Sequence, residues 1–175
     1  MKAITLYQPW ANLVAIGVKR IETRSWGTKY CGPLAIHAGM NKKFISFKSP
    51  DYVCGQEPFY SIMTQNAENI IQSFKSPLDQ AKRILPLGAV IATCDLIGVD
   101  QFGPWLNERL DGGKSVIWAK GRYYFELTEQ ERAFGDFTVG RYGWFLANVK
   151  LLPKPVPARG ALGLWEWEFD VEAGR

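Results

Sequence analysis

The sequence predicts an α+β chain, a small and mostly antiparallel β-barrel decorated with short helices. Three observations carry that expectation. Leu87 to Val99, LGAVIATCDLIGV, is a nearly unbroken apolar and β-branched run of the kind that fills a central strand. Near the C-terminus Trp165, Trp167 and Phe169 alternate with Glu166, Glu168 and Asp170, the period of a strand with one buried and one wet face. The remaining strand-like runs differ in length and are separated by short helix signals, which suits a barrel better than a layered fold built on long helices.

The elements follow in order. Lys2 to Leu6 reads as a short strand. Pro9 sits where a first helical turn tolerates it, Trp10, Leu13 and Val14 have core-facing helical spacing, and Gly17 fits the position just past the helix end. From Val18 to Trp26 the pattern turns extended, so Arg20, Glu22 and Arg24 project from one face and Ile21 and Thr23 from the other. Pro33 to Ala38, PLAIHA, is another strand. Residues 40–86 differ in kind: polar, Pro-punctuated sequence surrounds two expected helices, Thr64 to Phe74 and Ser76 to Ile84. That stretch reads as a helical insertion within one domain spanning residues 1–175. Thr128 and Glu131 make a capping box for a short helix ending near Gly135, and Arg141 to Leu152 and Leu162 to Val171 close the chain as strands.

Composition bounds the function. With 47% apolar and 22% charged residues, 175 residues can bury a real core. No apolar run approaches the roughly 20 residues that span a bilayer, and the start MKAITLYQPWA has no signal-peptide apolar region, so a cytoplasmic location without membrane contact is expected. Charge is unevenly distributed. Residues 1–50 carry eight Lys/Arg and one acid, Glu22, a formal +7, whereas residues 51–175 sum to −3. A basic pole favours an anionic partner such as RNA, DNA, a nucleoside or a nucleotide, and it also serves plain solubility. Cys31, Cys54 and Cys94 are odd in number and widely spaced, which reads as reduced thiols rather than a disulfide framework or zinc knuckle.

Counting removes most catalytic devices. The single histidine, His37, excludes multi-histidine metal sites, and no GxxxxGK[ST] loop or GxGxxG turn follows a strand, so neither a metal nor another cofactor is expected. What remains is Lys19 with Glu22 and Arg24. A lysine partly buried beside other cations can act as base or nucleophile with a neighbouring carboxylate as proton shuttle, and a structural charge ladder on a strand has the same spelling. His37, in an Ala/Ile-rich strand with small neighbours Ala35 and Gly39, fits either a packed, hydrogen-bonded residue or the wall of a groove. Trp118, Trp144, Trp165 and Trp167 lie in strand patterns where core packing explains them. Trp10 and Trp26 flank the basic segment, where aromatic faces can stack bases while cations hold phosphates.

Gln8-Pro9-Trp10-Ala11, then Gly17-x-Lys19-x-x-Glu22-x-Arg24-x-Trp26, then Gly32-x-Leu34-x-Ile36-x-Ala38 together resemble the signature of the ASCH domain family, named for activating signal cointegrator homology. Leu87-Gly88-Ala89-Val90 leading to Asp95, and the strand from Tyr142-Gly143-Trp144 to Leu152, are similar to that family too. The resemblance implies a barrel related to the PUA fold, with a cleft lined by the GxKxxExR segment and used for RNA, DNA or modified nucleosides. A short bacterial branch, similar in its Gly-x-Lys-x-x segment, hydrolyses acylated cytidine and has threonine where this chain has Glu22.

The expected binding residues are Gln8, Trp10, Lys19, Glu22, Arg24, Trp26 and His37. Lys19 and Arg24, with Lys29, would neutralise phosphates; Trp26 would stack; Gln8 and Glu22 would orient a base edge, with His37 on the cleft wall. The alternative is a small hydrolase of acylated nucleosides or single-stranded RNA, with Lys19 activating water or attacking and Glu22 moving the proton. A protein-docking role for residues 40–86 is a third reading, its partner unspecified. Lys19, Arg24 and Trp26 are expected to converge on one open hollow.

Overall fold

The structure, a computed structural model, describes residues 1–46, 48–71, 85–103, 115–119 and 123–168. Lys2–Leu6 forms β1, in agreement with its pattern, and Trp10–Ala15 forms α1 with Pro9 at its cap. Gly17, at φ +78°, turns the chain out of α1, where a side chain would be strained. The backbone N–H groups of Val18 and Lys19 both return to the Leu13 carbonyl, 3.0 Å each, which closes that helix end. Ile21–Arg24 is β2 and Gly32–Ala38 is β3. The central strand expected from the apolar run is β4, Ala89–Gln101.

Six strands make one sheet. Taking Tyr142–Pro157 as β7 and Leu164–Glu166 as β8, the order is β2-β7-β4-β3-β1-β8. Only β1 with β3 is parallel, Thr5 standing opposite His37; β1 with β8, β2 with β7, β3 with β4 and β4 with β7 are antiparallel. The β4–β7 ladder shifts register at Val90/Ala92, Thr93/Asp95 and Leu96/Gly98. Extra residues on one strand bend and twist a sheet, so these bulges curl it into a half-barrel. Among the described residues no ladder joins the edge strands β2 and β8. Ser115–Ala119 (β5) and Tyr123–Leu127 (β6) pair separately as a two-stranded sheet.

The core fills the hollow of the half-barrel. Ile4, Leu34, Ile36, Ile91, Leu96 and Trp144 point inward, and α1 closes over them with Ala11, Val14 and Ala15. Burial of this kind contributes roughly 25 cal/mol per Å² of apolar surface removed from water. Cys94 is buried here, and desolvation pushes its thiol up to about 12.

Two elements differ from the expectation. The helix found within residues 40–86 is α2, Phe59–Ile71, beginning five residues before Thr64. Glu57 opens it, its carboxylate accepting from Ser61 Oγ at 2.8 Å, and Phe59, Ile62 and Met63 pack with Leu13 and Phe134. The second expected helix, Ser76 to Ile84, lies outside the described residues. The last strand is only Leu164–Glu166, with Trp167 buried beyond it, and the expected continuation from Phe169 also lies outside the described residues. No helix among the described residues is long and apolar enough to cross a membrane.

The capping box forms by half. Thr128 Oγ1 accepts from the backbone N–H of Glu131, capping α3, Glu129–Ala133. The Glu131 carboxylate does not return to Thr128. Buried at 2% exposure, it accepts from the backbone N–H groups of Arg20 and Ile21, at 3.2 and 2.9 Å.

Candidate functional site

Glu131 fixes the backbone that carries the GxKxxExR segment, and the segment's charges then form a chain. Lys19 is fully buried, its Nζ donating to the Ile21 carbonyl at 2.5 Å and lying 3.6 Å from Glu22 Oε2. Glu22 Oε1 in turn lies 3.2 Å from Arg24 Nε. Alternation along β2 produces the second contact: Glu22 and Arg24 share a face while Ile21 enters the core. Burial pushes the Lys19 ammonium down from its usual range, opposed by the charges of Glu22 and Glu131. Arg24 reaches further, its Nη2 donating to the Thr5 carbonyl at 2.8 Å.

Two hollows meet at Arg24, with Leu6 and Tyr7 also on the shared wall. The first, of about 460 Å³, is polar: Glu22, Arg24, Asp136 and Arg141 face it, with Trp10 and Phe44 as its aromatic side. Asp136 accepts from Thr138 Oγ1 and lies 3.1 Å from Arg141 Nε, and these contacts hold its carboxyl below the usual range, the hydroxyl bond foremost. The second hollow, of about 710 Å³, is apolar in its walls and is closed by the loop of residues 158–163. Arg24, Trp26, His37 and Arg159 line it.

Trp26 stands edge-on to Trp144 at 4.7 Å, and the Trp144 indole N–H donates to the Trp26 carbonyl, so its ring is held in place. His37 is 2% exposed, packed edge-on to Trp165, with Nε2 3.0 Å from the Ala158 carbonyl. A carbonyl can only accept, so Nε2 carries the proton and donates, and Nδ1 is a bare acceptor. No hydrogen-bond partner for that Nδ1 is present among the described residues. Burial pushes the imidazole down from its usual range.

The expected site residues therefore separate. Arg24, Trp26 and His37 share the apolar hollow, and Trp10, Glu22 and Arg24 share the polar one. Two expectations are corrected. Lys19 lines neither hollow; it is fully buried behind Glu22 rather than converging with Arg24 and Trp26 on an open surface. Gln8 is fully buried, with Nε2 donating to the Pro86 carbonyl and Oε1 accepting from the Asn12 N–H, so it braces α1 rather than reading a base edge. Lys29 is exposed and lines neither hollow. The basic pole is also milder than its count, since Lys2 lies 2.5 Å from Glu166 and Lys43 lies 3.3 Å from Asp51.

Sequence reasoning missed Tyr7, Arg141, Asp136 and Arg159. Tyr7 immediately precedes the signature's Gln8 and Arg159 sits in the small-residue loop ARGALG between two strands, which were the available signals. Among the described residues no cluster of three or more His, Cys, Asp or Glu side chains could hold a metal ion.

The ASCH domain family model matches residues 4–139. The chain belongs to the ASCH domain family. That span of the ASCH domain includes the charge chain of β2, the walls drawn from Tyr7 to Phe44, and α3 with Glu131. No curated protein matches the sequence. Among solved structures, the crystal structure of a ZmASCH Y47F mutant protein from Zymomonas mobilis is similar at 15% identity, with a TM-score of 0.44, over 99% of this chain and 93% of that one.

Proposed function

We propose that this ASCH domain binds nucleic acid, RNA or DNA, across the two hollows that meet at Arg24. The observation that carries the reading is the Arg24 guanidinium itself, on the wall shared by a polar and an apolar hollow. A guanidinium has five N–H donors. One goes to Thr5 and Nε faces Glu22, so Nη1 and half of Nη2 remain for a phosphate among the described residues. Tyr7, 50% exposed, and the fixed ring of Trp26 offer faces on either side for bases. Family membership and the basic first 50 residues point the same way.

Fluorescence titration with short single- and double-stranded RNA and DNA tests this. Affinity should fall steeply with salt, because neutralised phosphates release counterions, and Arg24→Ala should weaken it about tenfold or more. Absence of binding at low salt overturns the reading.

A second reading, hydrolysis of an acylated nucleoside or of single-stranded RNA, is favoured by one observation. Glu22 opens on the polar hollow with the depressed Lys19 ammonium directly behind it, a pair able to pass a proton. Turnover of N4-acylated cytidines or RNA that disappears in both Glu22→Gln and Lys19→Met would establish it. No turnover above the variants removes it.

A further inference from the structure

The two hollows that meet at Arg24 are electrostatically unlike. Glu22 and Asp136 face the polar one, whereas no Asp or Glu lines the apolar one, whose charged residues are Arg24 and Arg159. Arg159 is exposed and has no ion-pair partner among the described residues. Around the same opening stand side chains that folding would ordinarily cover: Leu162 at 99%, Met40 at 69% and Tyr7 at 50% exposure. A cationic hollow free of acids and rimmed with apolar and aromatic groups suits a guest that is flat, apolar on its faces and negatively charged at one end.

Size narrows the guest. The volume of about 710 Å³ is within the roughly 300–1,000 Å³ of small-molecule sites and admits one nucleotide unit, not a paired and stacked helix. A further feature marks its floor. His37, nine-tenths buried and more, borders the hollow with Nδ1 unsatisfied, and an orphaned buried acceptor is costly wherever nothing uses it. Gly160 covers that edge, and any Cβ there would stand 2.6 Å from Nδ1 and 2.8 Å from Thr5 Oγ1, so the loop can lie this low only with glycine.

We propose that the apolar hollow receives one unpaired nucleotide of a single strand, its ring against Trp26 and Tyr7 and its phosphate between Arg24 and Arg159. The inference rests on the nucleic-acid reading and makes it specific: the base enters alone, and Arg159, outside the GxKxxExR segment, is the second phosphate ligand. A base must leave its stack to be read this way, so a single strand is favoured over a duplex.

Calorimetric titration of the full chain with adenosine, adenosine monophosphate, a short single-stranded oligonucleotide and the blunt duplex of the same sequence tests it. The monophosphate should bind about tenfold or more tightly than adenosine, since a charge-assisted guanidinium contact separates them. Arg159→Gln, at an exposed position, should narrow that gap several-fold, Arg24 remaining as the other phosphate ligand, and Trp26→Leu should weaken nucleoside and monophosphate alike. Equal binding of nucleoside and monophosphate, no effect of Arg159→Gln, or a duplex bound as well as the single strand overturns the inference. Strand binding that depends on Arg24 and salt but not on Arg159, with no monophosphate binding, sinks this inference and leaves the broader reading standing. Monophosphate binding without strand binding overturns both, leaving a site for a free mononucleotide.

Discussion

Arg24 Nη2 donates to the Thr5 carbonyl at 2.8 Å, so a side chain on one edge strand ties β2 to β1 across the open side of the half-barrel. The same guanidinium is therefore a brace and a ligand-facing group. Its planar fork can serve both because its donors point in different directions, which a lysine ammonium at the end of a flexible stem does not reproduce.

Substitution at Arg24 should separate those duties. Arg24→Lys keeps a cation near the hollows and removes the brace, so unfolding in urea should show a destabilisation of roughly 1–2 kcal/mol. Arg24→Ala should in addition lower the slope of log K against log salt by about one for each phosphate that is no longer neutralised. An unchanged slope in Arg24→Ala would remove Arg24 from the binding surface.

Lys19→Met should leave nucleic-acid affinity within about twofold, because the ammonium is sealed behind Glu22. Its stability signature lies in the window below the reference 10.5. The folded chain holds Lys19 below the reference 10.5, so between the folded value and 10.5 the unfolded chain binds more protons and stability gains from Lys19 as pH rises. The difference in unfolding free energy between wild type and Lys19→Met should therefore grow in favour of wild type across that window.

Glu131→Ala should be among the costliest changes in the chain. It removes the carboxylate that accepts from the Arg20 and Ile21 N–H groups and leaves the Ile21 donor buried and the Arg20 donor partly buried, at a cost of about 2 kcal/mol or more. Glu131→Gln, which keeps one acceptor oxygen, should recover part of it in the same denaturation series.

His37 should make the fold acid-sensitive. Its folded value lies below the reference 6.5, chiefly through burial. As pH falls through 6.5 the unfolded chain takes up the proton first, so stability declines, and the decline from this group ends below the folded value. Thermal unfolding of wild type and His37→Asn between neutral and mildly acidic pH should show the steeper fall in wild type; parallel curves would remove the assignment.

Much of the fold was legible because its signals are local. Lys2–Leu6, the run that became β4 and the short helix ended by Gly17 each depend on period, propensity or a glycine within a few residues. The pairing of Glu22 with Arg24 follows from strand alternation alone. Lys19 escaped because it precedes β2, on a turn held by Glu131 from more than a hundred residues away, and no local pattern announces that contact. Gln8 looked available for the same reason, its partner Pro86 being 78 residues distant. The division of one expected cleft into two depends on where the loop carrying Arg159 comes to rest, which is a property of the closed sheet rather than of any segment in it.

Phe44 stands in the polar excursion of residues 40–86, yet its ring meets Trp10 at 4.8 Å and Tyr7 at 5.4 Å and helps wall the polar hollow. Part of this recess is thus borrowed from outside the signature. Relatives that preserve every residue of the GxKxxExR segment but trim or rebuild this excursion would inherit the same charges in a differently shaped vestibule, so ligand preference across such proteins should track the excursion's length more closely than the motif's spelling.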